Sequence, residues 1–248
     1  MKSVSKKFLR KSFQEHISDL RRFLIISIVI YSTLFGICFY FSREIYQFFA
    51  EPLQDVLLKY SLKSDLFTTA ITEVFSTYIM LAFYISLILF FPFFLLLLFV
   101  YLLPVFSKRE RKISMLLLIL IPALFFLGAA FTYFIAFNVV WDFFIRISLT
   151  SDTIFLPKVS EYISLVLNMM FAFGLAFQLP VLLIILALFN IIDEKMILKF
   201  SKYAIVLAFV AGAILTPPDV LSQVVVAGIL LILYFLSYFI VRWVVKAE

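Results

Sequence analysis

The residues best able to do chemistry in this chain fall into two groups. Near the N-terminus, Glu15 and Asp19 stand one helical turn apart, and further on Glu110 sits among Lys108, Arg109, Arg111 and Lys112. These carboxylates can form an acidic site for a cationic ligand. They can also be neutralised locally, Lys11 with Glu15 and Asp19 with Arg22, at helical neighbour spacing. The second group lies in apolar surroundings: Asn168, Gln178 and the stretch "LTPPDVLSQ" (215–223), which sets Thr216, Asp219, Ser222 and Gln223 around Pro217 and Pro218. Polar groups within apolar segments face a cavity or another helix, because facing hydrocarbon is costly. Gln178 suits an interhelical hydrogen bond worth about 0.6–2 kcal/mol, and Gln223 suits contact with a partner.

Catalytic chemistry has little to stand on. His16 is the one histidine, the five glycines are scattered, and no His-Glu-x-x-His, Gly-x-Ser-x-Gly or Walker lysine occurs. Cys38 is the one cysteine, which excludes an intramolecular disulfide and a cysteine-rich metal site. The chain is expected not to be an enzyme and to carry no cofactor or metal.

The elements that must position these groups follow from composition. Of 248 residues, 65% are hydrophobic, and the mean hydropathy is +1.15. Soluble domains are about half apolar, so the bilayer must be the solvent. Six stretches approach the roughly 20 apolar residues a helical span requires: about 23–42, 75–101, 114–137, 161–189, 203–215 and 220–241. Backbone groups in lipid must be satisfied within each segment, which makes these helices. The sequence therefore predicts an all-α polytopic membrane protein of one domain, 1–248, with six transmembrane helices. The first apolar run ends in "FYFSRE" without a small-residue cleavage site, so it reads as a retained span.

Charge sets the orientation. With the N-terminus inside, segments 1–22, 104–113, 190–202 and 242–248 hold 16 of the 21 Lys and Arg but only 6 of the 15 carboxylates. This is a positive-inside pattern with both termini inside. Residues 6–22, "KKFLRKSFQEHISDLRR", space Phe8, Phe13, Ile17 and Leu20, with Leu24 beyond, as an amphipathic helix at the inner surface that runs into span one, or serve as a plain basic anchor. The outer loop 43–74 has room for short helices, with Pro52 separating one from the next.

The fifth and sixth spans are expected to be short. Residues 203–215 cover only about 20 Å as a helix, less than the hydrocarbon thickness, so the bilayer must thin or water must enter there. Pro217 and Pro218 stop the helix, and Thr216 or Asp219 can cap the next one. A small-solute transporter with a midplane site of Gln178, Asn168 and Asp219 is the rival reading. The two halves do not mirror each other in loop length, which weighs against an inverted-repeat transporter.

Several stretches together resemble the C subunit of the twin-arginine protein translocase, the TatC family, over nearly the whole chain. "EHISDLRRFL" (15–24), "AEPL" (50–53), "FSKRERK" (106–112), "FTYF" (131–134), "EYISLVLNMMFAFGLAFQLPV" (161–181) and "LTPPDVLSQ" are similar to the family's signatures and fall in its order; the last two are the most specific. Three departures stand out: Asp19 replaces the family's usual Glu, Asn138 replaces a frequent proline, and Gln178 stands where many members have a buried Glu. Gln178 cannot transfer a proton.

The resemblance implies a receptor for twin-arginine signal peptides on folded proteins, assembling with small single-span A- and B-type partners and with itself, powered by the proton-motive force. It would sit in a cytoplasmic (inner) membrane, or in an organelle inner or thylakoid membrane, with no nucleic-acid partner. It assigns Asp19 and Glu110, with Arg21 beside them, to signal-peptide binding. Guanidinium groups form bidentate bonds to carboxylates, and the surrounding cations would repel a merely basic peptide. It assigns Thr216, Ser222, Gln223 and Gln178 to partner docking and intramembrane polar contacts, and Pro52, Pro180, Pro218 and Asp219 to structural turns.

Overall fold

The computed structural model describes residues 13–59, 72–103, 111–137, 141, 145–146, 158–215 and 220–246. Its helices are α1 (Phe13–Tyr40), α2 (Ser42–Lys59), α3 (Glu73–Leu102), α4 (Arg111–Phe131) followed by a π-helical segment (Thr132–Ala136), α5 (Val159–Ala176), α6 (Leu179–Leu188), α7 (Glu194–Leu215) and α8 (Val220–Lys246). Six spans are long and apolar enough to cross a membrane: Arg21–Tyr40, Glu73–Tyr101, Ile113–Ala136, Val159–Leu188, Glu194–Ile214 and Gln223–Arg242.

Where it is described, the N-terminal segment runs into the first span, as the sequence suggests. From Phe13 it is continuous with the first span, with no break before Tyr40. α1 leans on α3 through Phe23–Phe94 and Tyr31–Phe90, with ring centroids 5.4 and 5.7 Å apart. Low residue numbers on α1 meet high ones on α3, so the two run antiparallel.

Pro52 does not divide the outer segment. It lies inside α2, and the reason is a substitute partner. Proline has no N–H to give the carbonyl four residues back, which is that of Phe48. The Tyr133 hydroxyl donates to that carbonyl instead, at 3.0 Å, and the two rings stack at 4.9 Å. Next to it, the buried Tyr162 hydroxyl donates to the Phe49 carbonyl at 2.6 Å. Two tyrosines from spans three and four thus hold α2 over the outer end of the bundle, above a core containing Leu53, Leu57, Phe137, Trp141 and Ile163.

Spans three and four cross closely. A methyl group added at Gly128 would lie 2.5 Å from the Phe173 carbonyl oxygen, and one at Gly174 would lie 2.8 Å from the Phe125 ring. Each glycine accommodates a phenylalanine-bearing turn of the other helix. Span four itself is two helices. Phe177 and Gln178 form a turn, because Pro180 cannot supply the N–H that would carry α5 onward.

α6 ends in a left-handed residue, Asn190 at φ 57°, with Ile191 N–H donating to the Leu186 carbonyl at 3.0 Å. This is a Schellman closure, a position asparagine tolerates. Asp193 then caps the next helix, its carboxylate accepting from Met196 N–H at 2.7 Å. The fifth helix therefore starts at Glu194, nine residues earlier than the apolar run suggests. As spans, the fifth and sixth are 21 and 20 residues against 29, 24 and 30 for the second to fourth. As helices they are not stunted: α7 has 22 residues and α8 has 27. Apolar length and helical length differ here because Glu194, Lys195, Lys199 and Lys202 occupy the first turns of α7.

Candidate functional site

The sequence-derived site residues divide among three levels of the molecule. At the inner end, Asp19 and Arg21 lie in the early turns of α1, and Arg21 is exposed. The side chain of Asp19 is outside the described set. Glu110 lies outside the described residues; in sequence it immediately precedes Arg111, where α4 begins. α1 and α4 both start from this end of the bundle.

Gln178 occupies the turn in span four. Its amide nitrogen donates to the Ile121 carbonyl at 3.0 Å, which joins spans three and four as an interhelical hydrogen bond. Its Oε1 is buried with no hydrogen-bond partner among the described residues. Pro180 is buried at the start of α6. Asn168 is engaged elsewhere: the Tyr84 hydroxyl donates to its Oδ1 at 2.7 Å, and its Nδ2 donates to Ser164 Oγ at 3.2 Å. Gln178 thus bonds to span three and Asn168 to span two, so they do not converge on a shared midplane site. The small-solute transporter reading is not supported.

At the outer end of the last hairpin, Thr216, Pro218 and Asp219 lie outside the described residues, and Ser222 is in α8 with its side chain outside the described set. Gln223 is half-buried rather than free. Its Nε2 donates to the Phe209 carbonyl at 3.0 Å, and its backbone oxygen and Cγ lie 3.0 and 3.3 Å from where a Cβ on Gly212 would be. Gln223 therefore clasps span six to span five. Further inward the Tyr234 hydroxyl donates to the Ile197 carbonyl at 2.6 Å. At the rim Arg242 Nε lies 3.5 Å from Glu194 Oε2, an ion pair rather than a hydrogen bond. The hairpin is tied along its whole length, while its outer surface stays bare: Val206, Leu207, Ile214 and Val220 are 61–77% exposed.

Sequence reasoning missed two features. Glu73, at the start of α3, is buried and accepts from Ser160 Oγ at 2.7 Å, which locks the outer ends of spans two and four. A cavity of about 540 Å³ is lined by Ile85, Leu89, Phe126, Tyr133 and Met170 among others, with Glu44 the one charged side chain in its lining among the described residues. Neither leaves a sequence signal, since both join segments tens of residues apart. Among the described residues, no group of three His, Cys, Asp or Glu is placed to hold a metal ion.

Comparison with known proteins places this architecture. Residues 15–228 match the family model described as Sec-independent protein translocase protein (TatC). The Sec-independent protein translocase protein TatC of Rickettsia prowazekii is 34% identical over 236 residues, covering 94% of this chain and 93% of the relative. That of Aquifex aeolicus is 36% identical over 228 residues, covering 91% and 92%. A crystal structure of a twin-arginine translocase receptor, TatC, superposes with a TM-score of 0.78 at 34% identity, covering 92% of this chain and 98% of the other; a second, in DDM, gives 0.79.

Proposed function

We propose that this chain, which belongs to the TatC family of Sec-independent protein translocase proteins, receives twin-arginine signal peptides of folded proteins at its inner end and recruits small single-span partner subunits along its fifth and sixth spans. It is a receptor subunit of the twin-arginine translocase, and its six spans form one transmembrane domain. We place it in a bacterial inner membrane, working with A- and B-type partners and with further copies of itself, with the proton-motive force as the energy source.

The observation that carries this reading is the fold, shared over nine-tenths of the chain with a twin-arginine translocase receptor. In our reading Asp19 and Glu110, at the feet of spans one and three, present carboxylates to two guanidinium groups. Such charge-assisted bonds are short and geometrically demanding, and arginine meets them bidentately where lysine does not. The cations around Glu110 make the pair selective by repelling a peptide that is basic but wrongly spaced. Arg21, exposed two residues after Asp19, belongs to the same proposed patch. The bare outer surface of the hairpin is the partner edge. Thr216, Ser222 and Gln223 supply its polar end, and Gln178 provides an intramembrane polar contact that cannot carry a proton.

The test is retention of a twin-arginine precursor by the detergent-solubilised chain, beside its twin-lysine form. Glu110→Gln and Asp19→Ala should each lower retention of the twin-arginine precursor about tenfold or more, the scale of one lost charge-assisted bond, whereas Asp19→Glu should keep it. Unchanged retention in both charge-removing variants would overturn the assignment. Crosslinking from Gln223 should trap a single-span partner; adducts with lipid alone would count against the docking edge.

A further inference from the structure

The first turns of α7 carry Lys195, Lys199 and Lys202, all exposed. At 100° per residue these three fall within about 60° of arc and about 10 Å of helix, so they form one stripe. Among the described residues none of them is in an ion pair. The acids nearby are used otherwise: Asp193 caps the helix through Met196 N–H, and Glu194 pairs with Arg242. Lys202 Nζ lies 5.1 Å from the centre of the Tyr203 ring. Three like charges this close are separated by roughly one screening length, and they repel one another unless a counter-charge joins them.

A second observation concerns the same face higher up. Continuing at helical spacing, the stripe runs through Val206, Phe209, Val210 and Ala213, all exposed, within about 100° of arc. One helix face is thus cationic over its lower third and bare and apolar above. Because the charge-free part of α7 begins only at Tyr203 and spans about 20 Å, the lysines stand at the membrane boundary rather than out in solvent. Aromatic residues favour that level, and Phe200 and Tyr203 are exposed there.

We propose that this face binds one anionic phospholipid, its phosphate seated on Lys195, Lys199 and Lys202 and an acyl chain lying along Val206, Val210 and Ala213. The charge pattern selects an anionic headgroup over a zwitterionic one, since the stripe offers no carboxylate to an ammonium group. The apolar continuation selects a lipid over a free anion. The site lies on the fifth span and shares Val206 with the proposed partner edge, so the lipid occupies this face in the chain free of its partners.

The test titrates the purified full-length chain with phosphatidylglycerol and phosphatidylcholine of matched acyl chains and counts bound lipids by native mass spectrometry. The wild-type chain should bind one phosphatidylglycerol in preference to phosphatidylcholine. Lys195→Gln, Lys199→Gln and Lys202→Gln should weaken that preference by roughly fivefold each, and the triple Lys→Arg variant should retain it. Exposed lysines can be exchanged without disturbing the core, and an unchanged far-UV circular dichroism spectrum checks this. Glycerol phosphate at millimolar concentration should fail to displace the lipid. Equal preference in the triple Lys→Gln variant overturns the proposal, as does displacement by glycerol phosphate.

Discussion

Spans three and four and the last hairpin are built on opposite plans. Some 44% of span four and 33% of span three is buried; in the hairpin span six reaches 39% and span five only 17%, so the bare flank belongs to span five. The first pair is fixed by steric fit, glycine against phenylalanine, and carries α2 as a lid held by two tyrosine hydroxyls. The hairpin combines polar ties, Gln223 to Phe209, Tyr234 to Ile197 and Arg242 to Glu194, with an apolar seam of Ala208, Val226, Ala227, Leu230 and Leu233, and its fifth span shows an apolar flank to the outside. A core that is close-packed resists deformation, whereas a span buried along one side only keeps a surface for others to pack on. One part of the molecule is therefore frame and the other is edge.

The sharpest way to break this comparison is at the frame. Gly128→Ala places a methyl 2.5 Å from a backbone oxygen that cannot rotate away. Overpacking of this kind costs about 1–3 kcal/mol, read as a large drop in unfolding temperature of the detergent-solubilised chain. Gly36→Ala is its control, since nothing lies within 4 Å of the added methyl, and it should leave the unfolding temperature unchanged or raise it slightly.

A medium effect is expected at the lid. Tyr133→Phe leaves the Phe48 carbonyl without the donor that replaces the missing N–H of Pro52, at a cost of about 1 kcal/mol. Pro52→Ala restores that N–H, so in its presence Tyr133→Phe should cost less. A double-mutant cycle measures the coupling, and strict additivity would remove the explanation for an unbroken α2.

The smallest effect on stability belongs to the edge. Gln223→Leu removes one interhelical bond, worth about 0.6 kcal/mol on average in membrane helices. Partner crosslinking at neighbouring positions should nonetheless fall severalfold. A stability loss as large as that of Gly128→Ala, with crosslinking intact, would show that the hairpin is frame after all.

The sequence made the spans legible to within a few residues for the second, third and fourth, because each is a long uninterrupted apolar run. It failed at α2 because the partner that rescues Pro52 lies at Tyr133, far along the chain. It placed the start of the fifth helix late because hydrophobicity measures the length in hydrocarbon, and charged turns can be helical too. The Asp193 cap in "NIIDEKM" was the available signal. For the candidate site, Gln178 was legible as an interhelical donor, but its acceptor, Ile121, was not. Gln223 was read as open to partners, whereas half of its hydrogen-bonding capacity is committed within the hairpin. Asp19 and Glu110 were legible as carboxylates among cations, and only motif order joined them as one site.

The unbroken course of α1 has a mechanical consequence. Its 28 residues make a rod about 42 Å long, with Asp19 near its foot and only 11% of its span buried. A rod gripped along one side by α3 and otherwise loose behaves as a lever. A tilt of about 5° at the foot carries its top by roughly 4 Å over that length, toward or away from the lid that begins two residues later at Ser42. If the proposed docking at Asp19 tilts this rod, the displacement reaches the opposite water boundary without a relay of intermediate side chains.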